Sequence, residues 1–225
     1  MVSTADPQER PDVRTARRRG APIGLDGAAV IAAVAVFVVG LVMLWPSPRQ
    51  EVVLLGDSIT VPFDLADDLT VAGKPTQVEA APGLRVSDAY EAVPAISERR
   101  PSDLVVNLGT NDLFTGRSPQ EAVDDLERLV DTIGPPGCVH VVTVNEQMVL
   151  VDRPDLDAVT AEFNQLLRAR AELHGWALVD WARVVEDHEA DDEAPAATVD
   201  TVHPSLVGLA LLAEAIERSV ANGCP

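Results

Sequence analysis

Four runs of apolar, mostly β-branched or leucine residues constrain this chain most: Val52–Leu55, Leu104–Leu108, Val139–Val144 and Trp176–Val179. Each is too short for a helix and predominantly apolar, interrupted only by Asn107, His140 and Thr143, as expected of strands buried on both faces in a parallel sheet. A fifth, more polar stretch, Thr76–Ala80, reads as a further strand. Between the runs lie segments with helical spacing. Phe63–Val71 predicts a short helix, and Val86–Arg99 a longer one that Pro94 kinks or splits. Ser118-Pro119-Gln120-Glu121 opens the next by cap, first-turn proline and capping box. Its apolar positions are Ala122, Leu126, Leu129, Val130 and Ile133, and Gly134-Pro135-Pro136-Gly137 stops it. Asp155 is expected to cap a helix with Val159, Phe163, Leu166, Leu167 and Leu173 on its buried face, and Leu206–Val220 reads as a closing helix. Alternating strands and helices imply one three-layer α/β/α sandwich around a parallel sheet. Periodicity does not set the strand order.

Ahead of this domain stands a different kind of segment. Gly27–Trp45 has no charged residue and no proline. At ~1.5 Å per residue a helix over this stretch would span about 28 Å, close to the hydrocarbon core of a bilayer. Arg10, Arg14, Arg17, Arg18 and Arg19 precede it and only Arg49 follows closely, which favours a cytoplasmic amino side. A buried core helix is rarely apolar all round at this length. A cleaved signal would be shorter and end in a small-x-small site, whereas this run ends Met43-Leu44-Trp45-Pro46-Ser47-Pro48. The expected order is a disordered basic tail (1–26), a single transmembrane anchor (27–45), a stiff linker (46–50) and an extracytoplasmic domain (51–225).

The net charge is −19, and the acidic surplus falls in the domain, because the amino-terminal arginines sit outside it. Such a surface repels nucleic acid. Glu186–Glu193 is acidic but lacks the spacing of a calcium loop, so no metal or other cofactor is expected. His140, His174 and His188 read as structural or solvated.

Three polar clusters follow the apolar runs or lie near the carboxyl terminus: Gly56-Asp57-Ser58-Ile59, Gly109-Thr110-Asn111-Asp112 and Asp200-Thr201-Val202-His203-Pro204. Ser58 at a strand end would stand at the carboxyl edge of the sheet, where open α/β folds bind ligands. In this order the clusters resemble the first, third and last blocks of the SGNH (GDSL-type) hydrolase family. Gly83 in Ala81-Pro82-Gly83-Leu84-Arg85 is the best candidate for its second block. The resemblance runs over roughly 51–222 and implies a flavodoxin-like strand order and a serine esterase without cofactor. It assigns Ser58 as nucleophile, His203 as base and Asp200 as the group orienting it. Donors to the oxyanion would be the Ser58 and Gly83 N–H groups and the Asn111 side chain. Thr201 stands where the family often has glycine, a departure expected to touch loop shape more than chemistry.

Asn164 and Val179-Asp180-Trp181 resemble the extracytoplasmic SGNH domains that accompany cell-envelope acyltransferases. That implies an acyl ester, acetyl among the candidates, on an envelope glycan. Hydrolysis, transfer of the acyl group to a sugar hydroxyl, and a catalytically silent binding module all remain open at this point. Cys138 and Cys224 are the only cysteines. Cys138 precedes a strand, at the amino edge, and the closing helix runs back to that same edge from His203. A disulfide between them is therefore expected.

Overall fold

The computed structural model describes residues 49–134 and 137–225. The expected tail and membrane anchor, and residues 46–48 of the linker, lie outside the described residues; among those described, no helix is long and apolar enough to cross a membrane. The remaining linker residues begin the first strand rather than precede it.

Six strands form one sheet: β1 Arg49–Gly56, β2 Thr70–Val71, β3 Lys74–Ala80, β4 Pro101–Asn107, β5 Cys138–Val142 and β6 Ala177–Val179. Their order is β2-β3-β1-β4-β5-β6, parallel throughout except for the β2–β3 pair. Without the short β2, this is the flavodoxin-like order. Side-chain alternation explains why the runs are apolar on both faces. Val53, Leu55, Leu104, Val106, Val139 and Val141 enter one core, and Val52, Leu54, Val105 and Val142 enter the other. Val52 to Leu55 are each at most 1% exposed, and such burial stabilises by about 1.5–3 kcal/mol per side chain.

Four helices cover the first face: α1 Val93–Arg99, α2 Thr110–Phe114, α3 Pro119–Ile133 and α4 Leu156–His174. Two cover the second: α5 Trp181–Glu189 and α6 Leu206–Asn222. The Ser118–Glu121 capping box is present at the start of α3.

Several expectations change. Phe63–Val71 is not one helix: a 3₁₀ turn spans Val61–Leu65, and Thr70–Val71 pairs with β3 through a hairpin. The hairpin turn needs positive φ at both Ala72 (50°) and Gly73 (72°), which suits the right-handed twist of the strands. Pro94 splits its segment into a 3₁₀ turn, Asp88–Ala92, and α1, where it occupies the first turn. Asp155 stands at the start of α4 without capping it, because Arg153 takes its carboxylate (Nε–Oδ1 3.0 Å). Leu173 is 69% exposed because, two residues past the buried Ala171, it falls on the outer face of α4. Helix α5 was not foreseen; Asp180 caps it, accepting from the Arg183 N–H, and Trp181 and Val185 bury its inner face.

Candidate active site

The carboxyl ends of β1, β4 and β5 set the site. Gly56 pairs with Asn107, so the turns that follow β1 and β4 leave the sheet at one level. After β1 the chain closes a turn in which the Thr60 N–H donates to the Asp57 carbonyl (2.9 Å), and Ser58 stands half-buried on its outer side. After β4, Gly109 takes φ +121° to begin α2. A Cβ there would lie 2.5 Å from the Phe163 ring, so both backbone and packing call for glycine.

Ser58 Oγ lies 3.0 Å from His203 Nε2, although 145 residues separate them. On the other side of the ring, His203 Nδ1 lies 2.8 Å from Asp200 Oδ2. Asp200 Oδ1 accepts the backbone N–H groups of His203 (2.7 Å) and Val202 (3.0 Å). Burial pushes this carboxyl upward, but these donors and the imidazole outweigh it and hold it below the ordinary value. An ionised carboxylate only accepts, so Nδ1 carries the proton and Nε2 presents its lone pair to the serine hydroxyl. The relay is thus polarised to draw a proton from Ser58.

The other expected site residues gather at the same edge. The Ala81 N–H donates to the Gly56 carbonyl (3.2 Å), fixing the turn that carries Gly83 (φ 75°) beside the end of β1. Among the described residues, neither the Ser58 nor the Gly83 N–H has a protein acceptor. Asn111 Nδ2 donates to Asp57 Oδ2 (3.1 Å) and to the Leu84 carbonyl (3.2 Å), so its amide binds the three turns together.

Two buried carboxylates were not singled out from the sequence. Asp112 accepts the Val86 N–H (3.0 Å), and burial holds its carboxyl above the usual value. Asp57 is completely buried and accepts from the Ile59 N–H (3.0 Å) and Asn111. Burial pushes it up to about 6, against the lowering effects of the Ile59 N–H, His203 and Asn111. The only hint in sequence is that both aspartates flank the serine and asparagine just past apolar strands.

The raised Asp57 has a signed consequence. Its stability contribution is complete below about pH 4 and lost as pH rises through 6, by an amount of order 2–3 kcal/mol. Denaturant unfolding of wild type and Asp57→Asn at pH 4 and pH 7 should show that difference. Parallel pH profiles would remove the assigned burial cost.

A Ser-His-Asp trio also occurs at the opposite edge. Buried His140 contacts Asp103 through Nε2 (3.2 Å) and Ser219 through Nδ1 (2.8 Å). Burial raises the Asp103 carboxyl, but His140, Lys74 and Ser102 outweigh it and hold it at about 2. Ser219 lies inside α6, where its backbone N–H is committed to the helix and cannot serve an oxyanion. That trio is structural, as expected of His140. Next to it Cys138 and Cys224 are joined in a disulfide, with Cα atoms 5.6 Å apart. His174 stacks on Trp176 and meets Glu127, and His188 meets the Pro195 carbonyl, so neither reaches the relay.

A strand-end serine hydrogen-bonded to an imidazole, on a parallel sheet of this order between two helical layers, is the architecture of an α/β/α serine hydrolase. Residues 54–211 match the model of the GDSL-like Lipase/Acylhydrolase family, and the chain belongs to that family. No curated protein matches the sequence.

Solved structures share the fold. A lipolytic protein of the G-D-S-L family from Veillonella parvula is 22% identical, with a TM-score of 0.60 over 74% of this chain and 96% of the other. A catalytic mutant of the acetylxylan esterase Axe2 from Geobacillus stearothermophilus is 17% identical, with a TM-score of 0.64 over 78% and 95%. TesA is 20% identical, with a TM-score of 0.58 over 77% and 99%. The protein is a serine hydrolase of the esterase and acylhydrolase type.

Proposed function

We propose that this protein is a membrane-anchored, extracytoplasmic esterase that removes an acyl group, acetyl foremost, from a carbohydrate. The observation that carries the chemistry is the Ser58–His203–Asp200 relay. Ser58 Oγ attacks the ester carbonyl as His203 Nε2 takes its proton, and Asp200 stabilises the imidazolium that forms. The Ser58 and Gly83 N–H groups, which have no acceptor among the described residues, support a role as donors to the developing oxyanion. Asn111 supplies the third donor by sharing an amide hydrogen now directed at Asp57 or Leu84. His203 then returns the proton to the leaving alcohol, and water, activated by the same base, releases the acid.

The His203 side chain is 44% exposed, which leaves the base open to water as the acyl acceptor. A depression of about 380 Å³ beside Asp200 is lined by Asn145, Gln147, Glu189, Asp191, Asp192 and Thr201 together with the apolar Ala194, Ala196 and Val199. Its mixed polar and apolar lining suits the hydroxyls and ring faces of a sugar, and the fold is shared with an acetylxylan esterase. A panel of chromogenic esters from acetyl to long-chain, given to the full chain in detergent, tests the reading. Highest kcat/KM on acetyl and propionyl esters is expected; turnover confined to long chains would overturn it.

Asn111→Ala should lower kcat by roughly a hundredfold, the usual loss for one oxyanion donor, with less effect on KM. An unchanged kcat would leave Asn111 as the tie between turns alone. For the anchor over 27–45, fractionation should leave the chain in the membrane pellet, released by detergent but not by high salt. A mature form beginning near Pro46 in the soluble extracytoplasmic fraction would make that segment a cleaved signal.

A further inference from the structure

Asp200 and His203 are poorly held by packing. Their side chains are 50% and 44% exposed, on a loop between residues 198 and 204. A base on such a loop must be placed by something other than its own burial. Two residues outside the relay do this.

Asn145 follows the end of β5 and is only 2% exposed. Its Nδ2 donates to the Thr201 carbonyl (2.8 Å), and its Oδ1 accepts the Gln147 N–H (3.0 Å). The residue before it is itself fixed. Buried Asn164 on α4 accepts the Val144 N–H (2.9 Å) and donates back to the Val144 carbonyl (2.8 Å), as a strand partner would. The amide chain therefore runs from a core helix to the loop of the base.

Thr201 completes the link at a conformational cost. Its φ is +68°, a left-handed value that a β-branched residue rarely adopts and that glycine adopts freely. What threonine adds is a hydroxyl, and that hydroxyl accepts the Val149 N–H (3.0 Å). Thr201 thus joins its loop to the one after β5 at two points, its carbonyl and its hydroxyl. The next residue, Val202, is 5% exposed and enters the core.

We propose that Asn145 and Thr201 are positioning residues, which hold the loop of Asp200 and His203 so that Nε2 meets Ser58 Oγ. This rests on the esterase reading of the relay. Thr201→Gly separates this role from simple stabilisation, because it relieves the left-handed strain while removing the hydroxyl. The variant is expected to fold with a Tm at or above wild type. Its kcat should nevertheless fall by about ten- to a hundredfold, the scale of a small misplacement at a reacting group, with KM within about twofold. Thr201→Ser, which keeps the hydroxyl, should recover most of kcat. Asn145→Asp keeps the acceptor for Gln147 but cannot donate to Thr201, and should resemble Thr201→Gly.

A second measurement does not depend on turnover. The ring nitrogen signals of His203 in ¹⁵N NMR should move in Ser58→Ala, and should move the same way in Thr201→Gly. Wild-type kcat and unmoved His203 signals in both Thr201→Gly and Asn145→Asp would overturn the positioning role. If no ester were turned over by wild type, the esterase reading would fail, while the His203 signals would still decide whether these residues place the ring.

Discussion

Ser58→Ala is expected to lower kcat on a chromogenic ester by about four to six orders of magnitude, the loss typical of removing a nucleophile that acts as a unit with its base. The fold should not notice. The Ser58 hydroxyl is half-buried and, among the described residues, hydrogen-bonds only to His203, so Tm should stay within about 2 °C of wild type. Covalent labelling by a fluorophosphonate should disappear in the same variant, since that reagent reports only an activated hydroxyl. Residual turnover within tenfold of wild type, or undiminished labelling, would remove Ser58 as the nucleophile. The assay also separates the relay at the carboxyl edge from the Asp103–His140–Ser219 trio at the amino edge, because Ser219→Ala should leave both labelling and turnover intact.

Reduction of the Cys138–Cys224 disulfide is expected to cause the largest change in stability. The bond links the start of β5 to the end of the closing helix across 86 residues of sequence. In the chain-entropy account a loop of this size contributes about 4–5 kcal/mol by restricting the unfolded chain. For a domain of this length, that corresponds to a Tm lower by about 10–18 °C. Thermal unfolding with and without a phosphine reductant measures it directly, and the double variant Cys138→Ala, Cys224→Ala should behave as the reduced protein does. A drop of less than about 2 °C would show that α6 is held by its apolar face alone. Activity below the transition should survive reduction, because the relay lies at the other edge of the sheet.

Most of the sheet was legible because its signal is local. An apolar run with no polar position means a strand covered on both faces, and Val52–Leu55 and Leu104–Val106 are covered in that way. The start of α3 was legible for the same reason, since Ser118, Pro119 and Glu121 act on each other within one turn. Reading failed where a local pattern was ambiguous or a distant partner intervened. Phe63–Val71 has helical spacing, but Thr70–Val71 found an edge of the sheet to pair with. Asp155 has the chemistry of a cap, yet Arg153 supplies a charged donor that takes it away. Trp181–Glu189 was hidden among acidic residues, although Trp181 and Val185 carry its buried face.

The sequence by itself determined the class of fold, the strand-end clusters containing Ser58 and Asn111, and the Asp200–His203 pair on a single turn, because each rests on residues a few positions apart. Only the tertiary structure brought Ser58 onto His203 and showed that a second serine, Ser219, meets His140. Ser58 and Ser219 are each close to an imidazole; the family blocks single out the first pair, and nothing local in the chain announces the second. The difference lies in what surrounds them: free backbone donors at a strand end in one case, the interior of a helix in the other. The same holds for Thr201. Its left-handed backbone is tolerable only because Asn145 and Val149, more than fifty residues earlier in the chain, supply the hydrogen bonds that hold it. Local propensity would place a glycine there; long-range closure of the β5 loop onto the histidine loop makes threonine the residue that fits.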